Sequence, residues 1–289
     1  MLEYHSPLFR PPSEAHSLIL QITLGCSHNN CLFCNMYKTK QFQIKPLEQI
    51  LSEIQWAADR YPEARRIFLA DGDALAIPFD DLQQIIKAIK ASFPHLQRIS
   101  SYANALNILE KTPEQLSALY HAGLGLLYLG LESGDPQTLL LMHKGSTPAE
   151  NIQAVQRAQA AGMAVSVMVI LGLGGVERSR EHALASAKAV SQMKPKYLSA
   201  LTLYLAPDVP LYRMVEQKKF TPITPEMTLN ELYLLISHIE GKNIIFRSNH
   251  ASNYLPLSGR LAQDREYLLG LIKDALKSHN LKPDFLRGL

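Results

Sequence analysis

Long apolar runs are missing from this sequence: nothing approaches the ~20 consecutive apolar residues of a bilayer-spanning helix, so no membrane partner is expected. An excess of one charge is missing too. Twenty-nine Lys and Arg stand against 26 Asp and Glu, a net +3 without a run of like charge, which argues against a nucleic-acid partner. The N-terminus, Met1-Leu2-Glu3-Tyr4-His5, lacks the charged-then-apolar layout of a secretory signal, and a cytoplasmic protein is expected. Cysteine is scarce, with three in 289 residues. Two disulfides need four thiols, and zinc in closed coordination wants four protein ligands. Repeats, low-complexity tracts and linkers are also lacking. With 47% hydrophobic and 19% charged residues, what remains is the composition of a core-forming globular chain.

The three cysteines lie together. Cys26, Cys31 and Cys34 follow a C-x4-C-x2-C spacing directly after the apolar run Leu18-Ile19-Leu20-Gln21-Ile22-Thr23, which reads as a buried strand. A zinc site completed by His28 or a distant histidine is one reading of the trio. The other is an iron–sulfur cluster: a 4Fe–4S cluster normally takes four thiolates, so three leave one iron open to a ligand that is not protein. Reduced thiols in the cytoplasm suit either use better than disulfides.

Downstream, short apolar runs alternate with amphipathic segments. Strands are expected at 18–23, 66–70, 97–101, 126–130, 164–171, 197–204 and 243–247, and helices at 46–61, 79–93, 113–122, 148–162, 177–193, 225–240 and 261–279. Thr112-Pro113-Glu114-Gln115 and Thr147-Pro148-Ala149-Glu150 each set a capping hydroxyl before a first-turn proline and close a capping box; Thr224-Pro225 starts alike. Such alternation calls for right-handed crossovers and a parallel sheet. The expected class is α/β, a partial (β/α)6 TIM-type barrel with a C-terminal extension, and an open doubly wound sheet is the runner-up. Residues 1–17, rich in proline, read as a lead-in, 18–205 as the barrel, and 206–289 as an extension that closes it and contributes to the substrate site, all in one domain. In either architecture ligands sit at the carboxyl ends of the strands.

Those strand ends carry a resemblance. The three-cysteine loop after the first strand, with Phe33 just before Cys34, resembles the radical S-adenosylmethionine (SAM) superfamily, with a first gap of four residues where most members have three. The fourth strand runs into Gly130-Leu131-Glu132-Ser133-Gly134, similar to the stretch shared by the branch that includes methylthiotransferases and oxygen-independent coproporphyrinogen oxidases. The resemblance implies a 4Fe–4S cluster on Cys26, Cys31 and Cys34, whose open iron chelates SAM. It also implies one-electron cleavage of SAM to methionine and a 5′-deoxyadenosyl radical, which abstracts hydrogen from a substrate. Asp71-Gly72-Asp73, after the second strand, loosely resembles the Gly-Gly-Glu motif that holds the SAM amino group. Tyr102 and Asn104, after the third, fall where the ribose or methionine is contacted. Glu132, Ser133 and Lys144 would hold SAM from the fourth strand, with Lys144 on its carboxylate. Ile170 and Gly172 would pack beside adenine, with Tyr204 and Phe33 contributing to the same cofactor site.

Beyond the barrel, Arg247-Ser248-Asn249-His250-Ala251-Ser252-Asn253-Tyr254 is dense in hydrogen-bonding groups. Arg247, Asn249, His250 and Asn253 are expected to bind a small polar substrate, with His250 or Tyr254 available for proton transfer. The resemblance implies an electron donor such as flavodoxin or ferredoxin. Two other readings are a tRNA-modifying or porphyrinogen-oxidising member of the superfamily and, in another class, a zinc- or iron–sulfur-bearing binding protein without SAM chemistry.

Overall fold

The structure is a computed structural model and describes residues 1–288. Its main sheet has eight strands in sequence order: β1 (Leu18–Gln21), β2 (Arg66–Ala70), β3 (Arg98–Ala103), β4 (Leu124–Glu132), β5 (Ala164–Leu171), β6 (Tyr197–Thr202), β7 (Ile245–Arg247) and β8 (Ser258–Arg260). Sequential parallel strands separated by helices are the order of a partial TIM-type barrel with a C-terminal addition, the α/β class the sequence predicts. The helices are α1 (Leu47–Arg60), α2 (Phe79–Ser92), α3 (Ala105–Leu109), α4 (Pro113–Ala122), α5 (Pro136–Leu141), α6 (Pro148–Ala160), α7 (Gly175–Met193), α8 (Pro210–Glu216), α9 (Pro225–His238) and α10 (Leu261–Ser278). Among the described residues no helix is long and apolar enough to cross a membrane.

Internal contacts divide the chain into two compact units, the first of residues 1–29, 36–129 and 153–165, the second of 30–35, 130–152 and 166–289. In the first, β1, β2, β3 and β4 pair in parallel, from Leu18 opposite Ile67 through Arg66 opposite Arg98 to Ile99 opposite Leu124. Ile67, Phe68, Leu69 and Ala70 are all buried, as expected of parallel strands covered on both faces. Helix α1 turns Ile50, Ile54 and Ala57 inward, and α2 turns Leu82, Ile85, Ile86 and Ile89 inward. Each buried Ile or Leu is worth about 1.5–3 kcal/mol, which is why these apolar stripes fix the helices on the sheet.

The first strand ends at Gln21, two residues before the expected end. Thr23–Leu24 leaves the main sheet to pair antiparallel with Gln43–Ile44, a ribbon that closes the stem of the cysteine loop. The lead-in is more ordered than its prolines suggest. Pro12–Glu14 forms a 3-10 turn that buries Glu14 completely. A carboxylate out of water must find partners, and Glu14 accepts from Arg98 Nη2 and Tyr128 Oη, both at 2.6 Å, and from Ser17 Oγ.

In the second unit β5, β6 and β7 are parallel and β8 returns antiparallel to β7, Ser258 opposite Arg247. The sequence pattern misses β8, which is three residues long, Ser-Gly-Arg, without an apolar run. It also misses α3, α5 and α8, helices of five to seven residues. The caps at Thr112, Thr147 and Thr224 form as expected, each hydroxyl accepting a first-turn amide at 3.2 Å.

Replacing Glu14 by Ala strands Arg98 and Tyr128 and is expected to destabilise the protein by about 3 kcal/mol; a urea denaturation midpoint unchanged from wild type contradicts that.

Candidate active site

The cysteine loop starts at a left-handed residue, Gly25, with φ of 75°, a conformation that suits glycine. Its amide donates to Asp71 Oδ2 at 2.9 Å, Lys40 Nζ reaches the same oxygen at 2.8 Å, and Gln21 Nε2 donates to Oδ1 at 2.9 Å. Asp71 is fully buried, and the loop and its neighbours fill its carboxylate. Gly72 follows, its amide on Gly25 O at 3.0 Å. A Cβ on Gly72 would stand 3.1 Å from Cys26 Cβ and 3.0 Å from the Tyr37 ring, so any side chain there would press on the first cysteine and on that ring.

Asp73 differs from Asp71. It too is fully buried, and Oδ2 accepts from Ser27 Oγ at 2.6 Å and from Asn107 Nδ2. Among the described residues its Oδ1 has no partner at full hydrogen-bond geometry, and the Asn104 backbone is a further polar neighbour of the carboxyl. Burial pushes the carboxyl up to about 6, against the hydrogen bonds from Ser27 and Asn107 and the charge of Lys111. The third-strand candidates are more settled. Asn104 caps α3, its side chain accepting from Leu106 N at 3.1 Å, and the Tyr102 ring packs edge-on against Phe68 and Tyr128.

In the second unit, the segment carrying Cys31 and Cys34 hangs from two backbone bonds, Leu32 N to Met142 O and Leu211 N to Leu32 O, each 3.0 Å. Leu32 and Phe33 pack on an apolar cluster of Met142, Leu173, Ala206, Val209, Leu211 and Phe220. Part of the C-terminal extension therefore seats the cysteine segment. Each cysteine is half-buried and outside any disulfide. Among the described residues no group of three or more His, Cys, Asp or Glu side chains is assembled as a metal site. The ligand role of the cysteines rests on their type and spacing.

At the end of β4, Glu132 Oε1 accepts from Lys144 Nζ at 3.2 Å. Glu132 holds φ at 61° and His143, beside Lys144, at 53°, conformations that cost an L-residue of order 1 kcal/mol. A Cβ on Gly130 would lie 1.8 Å from Glu132 Oε1 and 3.2 Å from Lys144 Nζ. The glycine leaves the room that the carboxylate fills. Ser133 faces inward: it is fully buried, its hydroxyl shared between His182 Nδ1 at 2.7 Å and the Asp135 amide at 3.0 Å. It leaves the set of cofactor contacts.

His182 is one of a group that sequence reasoning missed. Arg178, His182 and Ser186 lie four residues apart on α7 and hold three consecutive residues of the turn. Arg178 binds Asp135 at 2.6 and 2.9 Å, His182 meets Ser133, and Ser186 Oγ accepts from Gly134 N at 2.8 Å. Burial would push the Asp135 carboxyl up, yet Arg178 and Thr138 hold it at about 2. Across from His182 stands Glu231 of α9, also missed, whose Oε2 accepts from Gly172 N at 2.7 Å. Burial pushes Glu231 up to about 7. The available signal was the fourfold spacing of polar residues on one face of α7.

On β5 the half-buried Ile170 alternates with buried Val169 and Leu171. Gly172, Tyr204 and Tyr254 line a cavity of about 300 Å³ with Thr202, Ile223 and Arg287. Of the expected substrate residues, Arg247 and Asn249 are exposed and His250 is half-buried, its Nδ1 beside Ser252 Oγ at 2.9 Å. Burial, then the Lys282 charge, lowers the His250 pKa. Asn253 binds Thr202 Oγ1, Ala200 O and Ser248 O at 2.8–2.9 Å. Tyr254 donates to Asp284 at 2.9 Å and burial pushes it up to about 12. Asn253 ties the extension to the strand and Tyr254 ties it to its own C-terminal turn, and both leave the sets of substrate and catalytic residues.

Comparison with known proteins follows the same lines. A model of the Radical SAM superfamily matches residues 20–187. Over 264 residues the chain is 23% identical to 4′-phospho-dehydrooxetanocin synthase of Priestia megaterium, an alignment that takes in 84% of this chain and 35% of that protein. The chain thus spans about a third of the length of this curated relative. Among solved structures, the radical S-adenosylmethionine methyltransferase TsrM of Kitasatospora setae, with cobalamin and a 4Fe–4S cluster bound, superposes with a TM-score of 0.58 at 19% identity, over 70% of this chain and 39% of that one. Coproporphyrinogen III oxidase HemN of Escherichia coli gives 0.56 at 16% identity, over 76% and 51%. At such identities these two likenesses bear on the fold alone.

The unpartnered oxygen of Asp73 predicts its own pH signature. A carboxyl raised from 3.8 to about 6 in the folded state loses stability as pH rises between those values, with the cost constant above. Asp73→Asn, which has no charge to desolvate, is therefore expected to exceed wild type by about 2–3 kcal/mol at pH 7.5 and to lose that advantage by pH 4, in urea midpoints measured across the range. A pH-independent difference removes the assignment.

Proposed function

The chain belongs to the Radical SAM superfamily, and on that premise we propose that it is an enzyme that cleaves SAM reductively at a 4Fe–4S cluster and abstracts hydrogen from a small polar substrate. Cys26, Cys31 and Cys34 are the cluster ligands. The residues fit such a cofactor pair, and one observation carries the reading: Asp73 keeps a buried, unpartnered oxygen while its other oxygen binds Ser27, the residue after Cys26. A buried acid in that state calls for a cationic donor, and the SAM ammonium supplies one. Lys144 presents a cation for the SAM carboxylate. Glu132 accepts from Lys144 until the ribose hydroxyls or ammonium of SAM offer it donors.

When bound, the cluster and SAM supply the one-electron chemistry; the protein's share is to orient and shield them. Asp71, Gly72 and Lys40 hold the stem of the loop. Phe33, in its apolar cluster, keeps water from the segment between Cys31 and Cys34. Tyr102, Asn104, Ile170, Gly172 and Tyr204 complete the proposed cofactor contacts, the last two from the cavity wall. Arg247, Asn249 and His250 are the proposed substrate contacts, with the free edge of His250 available for a proton. The electron comes from a small donor such as flavodoxin or ferredoxin, in the cytoplasm.

Anaerobic reconstitution tests this. The expected product is a brown protein with about four irons that releases 5′-deoxyadenosine from SAM on reduction; Cys31→Ala abolishes both colour and release. Lys144→Met retains the iron and weakens SAM binding about tenfold, near 1.4 kcal/mol. One zinc bound without SAM cleavage overturns the proposal.

A further inference from the structure

His182 and Glu231 are 0% and 1% exposed, and no step of the proposed chemistry uses them. Ser133 Oγ accepts the Asp135 amide and shares a 2.7 Å hydrogen bond with His182 Nδ1 in which either atom can donate. On its other side His182 Nε2 stands 3.8 Å from Glu231 Oε2, has no partner at full hydrogen-bond geometry among the described residues, and has the Ile170 backbone as a further polar neighbour. Glu231 accepts the Gly172 amide on that same Oε2, and its Oε1 is unpartnered. Burial keeps His182 neutral, its pKa lowered to about 4. The sequence of contacts runs from the Glu132–Asp135 turn through Ser133, His182 and Glu231 to Gly172.

An apolar pair would fill this space at less desolvation cost. The polar pair persists although two of its atoms go unmatched, which points to a task other than adhesion. Close packing restricts the turn further: a Cβ on Gly134 would stand 2.2 Å from Ala185 O on α7. Gly172 holds φ at 85°, a region open to glycine, and its amide is held by Glu231 Oε2 at 2.7 Å.

We propose that His182 and Glu231 are positioning residues that lock the Glu132–Asp135 turn to the Gly172 turn, so that the presentation of Glu132 to SAM depends on the pair. The lock rests on the reading of Glu132 given above. It acts within the protein alone and can be measured without cofactor.

The test is amide hydrogen exchange by mass spectrometry on the full chain without cofactor, in wild type and three variants. His182→Asn keeps an acceptor for Ser133 but is too short to reach Glu231; exchange in residues 171–176 is expected to rise about tenfold although the acceptor of Gly172 is intact. Glu231→Leu is expected to raise exchange in 131–135, whose own bonds it leaves untouched. Glu231→Gln retains an acceptor for Gly172 and should spare both turns, and its fold does not depend on filling the site with hydrocarbon. Loosening confined to the turn that each substitution touches, or spread evenly over the chain, overturns the lock. The same variants reconstituted with cluster should keep their iron and bind SAM about tenfold more weakly, except Glu231→Gln. Linked exchange with unchanged SAM affinity upholds the lock and overturns the role of the Glu132 turn in SAM binding.

Discussion

A carboxylate wholly buried in the protein fixes the stem of the cysteine loop. Asp71 is wholly buried and Lys40 nearly so, and desolvating two such charges costs several kcal/mol for each. Only a complete set of bonds offsets that cost, and the set is complete: Gln21, Gly25 and Lys40 converge on Asp71, while the same ammonium binds Pro7 O at 2.6 Å. The end of β1, the first residues of the loop, its far limb and the lead-in are thereby referred to one point at the end of β2. Loss of either charge leaves the other stranded, so the loop has one stable arrangement.

The second constraint is volume. Gly130, Gly134 and Gly72 each stand where a methyl group would fall within about 3 Å of a neighbour: the Glu132 carboxylate, the backbone of α7, and Cys26. These glycines act through missing atoms more than through freedom of φ. The stretch Gly130-Leu131-Glu132-Ser133-Gly134 then reads residue by residue. The first glycine makes room for an acid, the leucine fills the core, the acid pairs with Lys144, the serine bonds to His182, and the last glycine lets the turn rest on α7.

How much of this was legible in the sequence follows from range. Strands β2 and β5 could be read to the residue because a buried parallel strand is a continuous apolar run, and α4 because its cap and proline are local. The acids, the lysine and the glycines at strand ends were legible because turn and strand end adjoin in sequence. Partnerships were not. Ser133 and His182 are 49 residues apart, and Gly172 and Glu231 are 59, and nothing in a local pattern tells a serine that faces a ligand from one that faces a buried imidazole. Asn253 failed for the same reason, since its partners lie on β6, some 50 residues earlier. Glu14 shows the converse, a proline-rich segment that reads as irregular yet anchors a buried acid.

Buried acids divide this protein into what holds and what is held ready. Asp71, Glu53 and Asp135 are matched by Lys40, Lys45 and Arg178, and the match with Arg178 keeps Asp135 ionised. Asp73 and Glu231 each retain an oxygen without a partner and a raised affinity for a proton. Selection for stability alone would replace both with amides or hydrocarbon at a gain. Each sits against a loop that follows a strand: Asp73 against Ser27 in the cysteine loop, Glu231 against the Gly172 amide. One open oxygen belongs to an acid whose other oxygen binds Ser27, the residue after the first cysteine, and it is the oxygen proposed for a ligand's cation. The other belongs to a carboxylate whose second oxygen holds the Gly172 amide and faces a neutral imidazole out of solvent. On the proposals made above, the same physical deficit, a buried carboxylate with an unmatched oxygen, serves recognition in one unit and alignment in the other.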